Sequence, residues 1–552
     1  MAKGVSVKNL FFWIWKNSTG ARRQMALSTI IGIANVLCQL LWVLACKHAI
    51  DIATGNAKGS IATTGCVIGL VMLSEIILRS CNRWINSIQG VKAANNIRLR
   101  IFSRLMRSEW QYMQKHHSGD LINRLEGDVS NITSLIIGAI PAIIVLVVQL
   151  AGSFFLLFGM NNILAIAIVF ILPACMLVSR LYVTRMRRFN REVRDSDSRI
   201  QSVLQESLQH KTIIKTLEQN DSTEEHLGRL QDELRGKVRK RTKFSIGAFS
   251  FIQLGFAAGY LTAFMWGVYG LSIGTTTFGT LSAFLQLVGL IQRPTIDLSR
   301  YIPEVTSALT AAERLKEIEE LPKEIEGDKI MLAGTCGIRF RSVTFSYDDA
   351  EQNIFEQFDF DFEPGSTTAI VGDTGAGKTT LIRLMVALVH PRHGKVSIYN
   401  RHEEQESSPL TRSNFVYIPQ GNSLISGSIR DNIIMGNQQA DDAMIQKALH
   451  TACAEFVYNL PDGIETQVAE LGGGLSEGQA QRIAIARSLL RPGSILILDE
   501  VTSALDNNTE KELLKRLTSE KTGKTLIFVT HRPAVLEYCD KVLNINQAAY
   551  KK

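Results

Sequence analysis

The sequence predicts a multidomain chain: an all-α domain of six membrane-spanning helices, then an α/β domain of the P-loop NTPase fold. Three observations predict it. Four stretches with at most one charge each fill the first half, and two of them are long enough to cross a bilayer twice. At Ile338 the pattern changes to short β-rich runs alternating with helical segments. Soon after that change, Gly372-Asp373-Thr374-Gly375-Ala376-Gly377-Lys378-Thr379 fits G-x-x-x-x-G-K-[ST].

Composition narrows the class. The chain has 552 residues, 46% hydrophobic and only 20% charged, which is too apolar for an ordinary soluble enzyme of this size. The net charge is +8. The basic residues flank apolar segments, so the balance points to a membrane and not to nucleic acid. The 8 cysteines are scattered without a C-x-x-C pair, which suggests neither a disulfide framework nor a metal site.

Residues 1–20 hold a short aromatic segment, Val5 to Trp15, bounded by Lys8 and Lys16. It is too short to span and reads as an interfacial helix. Residues 21–320 form the membrane domain. Met25 to Cys46 carries no charge, and Ser60 to Leu78 carries only Glu75. Ser130 to Ser179 is uncharged over about two span lengths, with a turn at Gly159-Met160-Asn161-Asn162; Phe244 to Gln292 repeats this, with a turn near Gly270 to Gly279. Buried soluble helices would need a polar face that runs this long do not have.

Orientation follows from charge. The loops at 51–59, 159–162 and 270–279 contain almost no lysine or arginine, whereas Arg79 through Arg107 and Arg180 through Lys243 are rich in both. Both termini and the charged segments are therefore expected in the cytoplasm. A helix from Ser60 to Trp110 would be about 75 Å long and must project beyond the lipid. Two helical hairpins are expected, with tips near Gln114 to Leu121 and His210 to Asn220. Inside the spans, Glu75 needs a cation or a cavity, and Arg79 one turn on is a candidate partner. Pro141 and Pro173 can kink their helices.

Pro322 ends the last helix, and 321–337 reads as a polar linker before a domain over 338–552. There, Thr368 to Val371 reads as a buried strand and Thr380 to Val389 as a helix. Between them the glycines let backbone N–H groups approach a triphosphate at a helix N-terminus. Lys378 can reach the β- and γ-phosphates, and the Thr379 hydroxyl can ligate Mg²⁺. Ile495-Leu496-Ile497-Leu498-Asp499-Glu500 is an apolar strand delivering two acids at its carboxyl end. Asp499 can hold the metal and Glu500 can polarise the attacking water.

With Leu475-Ser476-Glu477-Gly478-Gln479 about twenty residues before Glu500, the chain resembles an ABC transporter, specifically an exporter-type (type IV) half-transporter with a fused ATPase domain. The likeness covers residues from about 20 to 547. Glu477 stands where glycine is usual, while Ser476, Gly478 and Gln479 are intact. The resemblance implies that Tyr347 stacks on adenine, that Gln420 in Ile418-Pro419-Gln420 senses Mg²⁺, that Asp506 belongs to a loop communicating across a dimer, and that His531 contacts the γ-phosphate. The implied catalytic set is Glu500, His531 and Lys378. The implied ATP contacts run through Gly372 to Thr380, with Tyr347, Gln420, Ser476, Gly478, Gln479 and Asp506. The implied metal contacts are Thr379, Gln420 and Asp499. In the hairpin tips, Ser118-Gly119-Asp120-Leu121 and Glu206 with Ile213-Ile214-Lys215 resemble coupling segments. Val468-Ala469-Glu470-Leu471-Gly472 departs from the usual pattern.

The implied function is ATP-driven export by alternating access. Its partners would be a second half-transporter chain, membrane lipid and a small or amphipathic substrate, with no nucleic acid. The expected location is a bacterial inner membrane, with the ATPase domain in the cytoplasm. An alternative is a catalytically quiet partner half; intact Lys378, Ser476, Glu500 and His531 argue against it.

Overall fold

The computed structural model describes residues 6–116, 118–347, 352–421, 423–469, 473–519 and 523–548. At 169–184, 187, 248, 252, 296 and 299 only the backbone is described, so the side chain of Pro173 lies outside the described residues. The same holds for Glu470, Leu471 and Gly472 altogether.

Among the described residues up to 320 there are eleven α-helices: α1 (Val7–Asn17), α2 (Arg22–Ala53), α3 (Ile61–Met106), α4 (Trp110–Met113), α5 (Ser118–Asn123), α6 (Val129–Thr133), α7 (Ile140–Met160), α8 (Asn162–Gln209), α9 (Lys211–Thr216), α10 (Asn220–Ser272) and α11 (Phe278–Glu320). Wider π-turns at Arg124–Asp128 and Ser134–Ala139 join α5, α6 and α7 into one helical run. The second π-turn has a physical cause. Pro141 has no N–H to give the preceding turn, and the looser i→i+5 register absorbs the loss. Among the described residues, four runs are long and apolar enough to cross a bilayer: 22–53, 61–106, 118–160 and 220–272. The two remaining long helices are α8, part of whose apolar half is described by backbone alone, and α11, whose apolar half carries Gln286, Gln292 and Arg293.

By internal packing the chain divides into two units, 1–103 with 118–319 and 104–117 with 320–552. In the first, Leu157, Leu164, Ala263, Phe284, Leu287 and Val288 form a buried core. Around it, Leu70, Leu73, Ile76, Leu254 and Leu261 stay exposed, the distribution expected where lipid is the solvent. Glu75 meets Arg79 as an i,i+4 pair and accepts from Gln39 Nε2 at 3.3 Å. α1 buries Leu10, Trp13 and Ile14 and exposes Phe11, Phe12 and Trp15; Trp13 Nε1 donates to Glu319 Oε2 at 2.6 Å.

The second unit holds two main sheets. Strands β1 (Gly337–Phe345), β2 (Phe355–Phe362), β4 (His393–Tyr399) and β5 (Glu404–Glu406) make an antiparallel sheet ordered β2-β1-β4-β5. β1 is bulged between Phe340 and Phe345. The second sheet contains β3 (Thr367–Val371), β6 (Phe415–Ile418), β9 (Ile495–Asp499), β10 (Thr525–Val529) and β11 (Lys541–Asn544), in the order β11-β3-β10-β9-β6. All four of its pairings are parallel. Every residue of β9 and β10 is buried, which is why both read as continuous apolar runs. A two-residue pair, β7 (Gly427–Ser428) with β8 (Gln467–Val468), lies beside them. The helices that follow β1 include α12 (Lys378–Met385), α13 (Ile429–Ile434), α14 (Asp442–Thr451), α15 (Glu477–Leu489) and α16 (Asn507–Ser519).

The stretch 321–337 is more than a spacer. Ser108 and Lys323 form an antiparallel bridge, Glu109 N donates to Pro322 O at 3.0 Å, and Arg412 clasps Glu324 with two bonds of 2.7 and 2.8 Å. Leu332 is buried in the core beneath the antiparallel sheet.

Candidate nucleotide site and membrane cavity

Sheet order explains why distant residues meet. β3 delivers the glycine loop at its carboxyl end, β10 delivers His531 beside it, and β9 delivers Asp499 and Glu500 one strand further on. β6 then delivers Gln420 at the edge. All these carboxyl ends point the same way, where ligands of open parallel sheets bind.

The loop turns through Gly375 (φ +89) and Gly377 (φ +101), backbone that a side chain would strain. Lys378, buried in the first turn of α12, folds back over the loop. Its Nζ lies 2.6 Å from Gly372 O, 3.3 Å from Asp373 O and 2.7 Å from His531 Nε2. Burial lowers the Lys378 pKa, opposed by Glu500, Asp373 and Asp499. Thr379 is exposed and Thr380 buried.

Glu500 is the focus of the cluster. Its Oε2 accepts from Gln420 Nε2 at 2.6 Å, and its Oε1 lies 3.5 Å from His531 Nε2. Its backbone is held at φ +50, an unfavourable conformation for glutamate that concentrates at functional sites. Asp499 is buried and bonded by Tyr417 OH at 3.2 Å; burial raises its pKa, and Glu500 adds to the rise. Tyr417 was not among the residues singled out from sequence. Its place on β6, next to β9, is visible only once the strands are paired.

The signature sits apart from this cluster. Ser476 caps α15 in a reciprocal box with Gln479, with bonds of 3.0 and 3.3 Å. Gly478 packs under Ala504, whose carbonyl would lie 2.8 Å from any Cβ there. Asp506 caps α16 through Asn508 and Thr509. Among the described residues, no hydrogen bond or ion pair joins Ser476, Gly478 or Gln479 to 372–380. Tyr347 lies at the end of β1, edge-on to Phe345 at 5.0 Å, with its hydroxyl 3.4 Å from Thr380 Oγ1.

The donors suit Mg²⁺. The exposed Thr379 hydroxyl, the Asp499 carboxylate and the Gln420 amide oxygen are hard oxygen ligands. Among the described residues no group of three or more His, Cys, Asp or Glu gathers into a cage.

In the membrane unit, a cavity of about 550 Å³ is lined by polar side chains, Asn35, Asn82, Asn86 and Arg300 among them, together with the aliphatic Ile31, Leu78 and Val145. The Oδ1 atoms of Asn35 and Asn86 are buried without a partner.

Comparison with known proteins bears on both units. A family model described as ABC transporter transmembrane region matches residues 25–295, and one described as ABC transporter matches residues 355–503. An ATP-dependent lipid A-core flippase of Bordetella avium (strain 197N) is 28% identical over 487 residues, covering 86% of this chain and 81% of that protein. A multidrug resistance ABC transporter ATP-binding and permease protein of Lactococcus lactis subsp. lactis (strain IL1403) is 28% identical over 471 residues, covering 83% and 78%. A solved bacterial Atm1-family ABC exporter with ATP bound shares the fold at a TM-score of 0.80 and 23% identity, over 96% of this chain and 95% of that one.

Proposed function

This chain belongs to the ABC transporters as an exporter-type half-transporter, a transmembrane domain fused to an ATPase domain, and on that premise we propose how its residues carry out the work. It is a multi-pass membrane protein and an ATPase coupled to transport. The observation that carries the assignment of roles is the cluster of Lys378, His531, Glu500 and Gln420 at the carboxyl edge of one parallel sheet.

In this reading the backbone of 372–380 and Lys378 hold the β- and γ-phosphates, and Tyr347 stacks on the base. Thr379, Asp499 and Gln420 would hold Mg²⁺, which would supply neutralisation of phosphate charge. Glu500, steadied by Gln420, orients the attacking water and takes its proton. His531, already bonded to Lys378, lies where it can contact the γ-phosphate. Ser476, Gly478 and Gln479, at the N-terminus of α15, complete the site of a second copy or a partner half. Asp506 lies in the loop packed against Gly478. ATP binding favours the closed pair and hydrolysis releases it, which shifts the membrane domains between inward- and outward-facing states.

The setting proposed is a bacterial inner membrane with both termini and the ATPase domain cytoplasmic. The domains proposed are residues 1–20, 21–320, 321–337 and 338–552. The mixed lining of the cavity, asparagines and Arg300 with Ile31, Leu78 and Val145, supports an amphipathic substrate. The chain purified alone into lipid vesicles should hydrolyse ATP and be stimulated by such a substrate. If it binds ATP but hydrolyses it only when mixed with another half-transporter, it is the quiet half of a heterodimer and this reading is wrong.

A further inference from the structure

We propose that Trp110, acting through Arg383, sets the pose of Tyr347 and so tunes the affinity of the ATPase unit for the nucleotide base. The inference rests on the reading of Tyr347 as the base-stacking residue.

Trp110 opens α4 and packs against the core beneath the antiparallel sheet. The guanidinium of Arg383 lies over its indole, 4.5 Å from the ring centroid. The same guanidinium donates from Nη1 to the Tyr347 hydroxyl at 2.8 Å. Arg383 belongs to α12, the helix that begins with Lys378. One side chain therefore touches the tryptophan and the tyrosine and stands on the phosphate-binding helix. Tyr347 is a half-buried ring at a strand end, and its hydroxyl contacts are with Arg383 and Thr380. Remove the indole and Arg383 loses the surface that fixes its plane. Tyr347 then loses the charged donor that holds its ring.

Trp110 is itself firmly placed. The Ser108–Lys323 bridge and the Glu109–Pro322 bond hold its helix to 321–326, and Arg412 clamps that stretch through Glu324. By backbone, the segment is the direct continuation of α3 on one side and leads into α5 on the other. A perturbation of either helix reaches the indole through covalent structure. By reciprocity, stacking of a base on Tyr347 biases the same segment in return. Trp110 and Arg383 are positioning residues: neither touches the reacting phosphates.

The test uses the full chain in lipid nanodiscs and steady-state hydrolysis of ATP and of UTP, whose smaller base stacks more weakly. Trp110→Ala and Arg383→Met should each raise KM for ATP about three- to tenfold, the range of a lost cation–aromatic contact. The kcat for ATP should stay within about twofold and KM for UTP should barely move. Trp110→Phe, which keeps an aromatic face, should recover most of the loss. In a Tyr347→Ala background, Trp110→Ala should add nothing. The proposal is overturned if Trp110→Ala leaves KM for ATP unchanged, raises ATP and UTP equally, or adds in full to Tyr347→Ala. If Tyr347→Ala itself leaves the ATP-to-UTP ratio alone, the base-stacking reading falls and takes this one with it. If Tyr347→Ala changes the ratio but Trp110→Ala and Arg383→Met do not, only the relay falls. Should Trp110→Ala fail to fold, Arg383→Met carries the same comparisons.

Discussion

Replacing Glu500 with glutamine isolates the chemistry from the binding. Glutamine has the same shape, keeps an oxygen for Gln420 Nε2, now 2.6 Å away, and inherits the φ of +50 at no additional cost. What disappears is the proton acceptor and one negative charge. Loss of a general base lowers kcat by about 10²- to 10⁴-fold, or roughly 2.7–5.5 kcal/mol in the barrier. The bond from Gln420 weakens from charge-assisted to neutral, a loss of about 1 kcal/mol in holding the side chain. The lost charge acts in the opposite direction on binding. Glu500 sits close enough to raise the Asp499 pKa, so its removal makes the site less negative and more hospitable to a triphosphate. Phosphate release and equilibrium ATP binding, measured on the same nanodisc preparation, should therefore separate. Turnover should collapse while ATP affinity holds or improves. Hydrolysis within tenfold of the parent, or ATP binding lost along with hydrolysis, would refute the assignment of Glu500.

Three further outcomes are expected. Asp499→Asn keeps the acceptor for Tyr417 but removes a buried charge. Because the pKa is raised in the fold, the folded parent holds a proton more tightly than the unfolded chain and loses stability as pH rises through that pKa. The variant should be more stable than the parent near pH 7.5, by a margin that vanishes below the ordinary carboxylate range, and inactive with Mg²⁺; thermal unfolding across pH without nucleotide tests this. Lys378→Ala removes the cation that spans Gly372 O, Asp373 O and His531, and ATP affinity should drop at least about tenfold by equilibrium titration. Gly436→Ala would put a Cβ 1.9 Å from Arg487 O, backbone that cannot step aside. A cost of about 3 kcal/mol should lower the ATPase unit's unfolding midpoint by roughly 6–12 °C, read by calorimetry.

Much of this molecule was legible before folding. Uncharged runs longer than a bilayer is thick have one stable solution, helices in lipid, and the runs around 25–46 and 130–160 became such helices. Continuous apolar runs such as 495–499 and 525–529 became strands buried on both faces. The glycine loop carried its chemistry in its spacing. Less visible were the two π-turns, although Gly127 and Gly138 stand within them and Pro141 follows the second. Pro294 and Pro303 lie inside α11 without ending it.

The sequence by itself determined which runs are long and apolar enough to cross a bilayer, which strands are buried, and the spacing of lysine, glycines and paired acids that a nucleotide site calls for. These depend on local periodicity and on transfer from water, and neighbours along the chain carry both. Tertiary structure alone decided that Lys378 meets His531, 153 residues away, that Gln420 holds Glu500, 80 residues away, and that Trp110 rests on Arg383. Strand order β11-β3-β10-β9-β6 makes the first two contacts, and no periodicity encodes which parallel strands lie side by side. That choice is settled by which faces bury together once the whole sheet closes over its core.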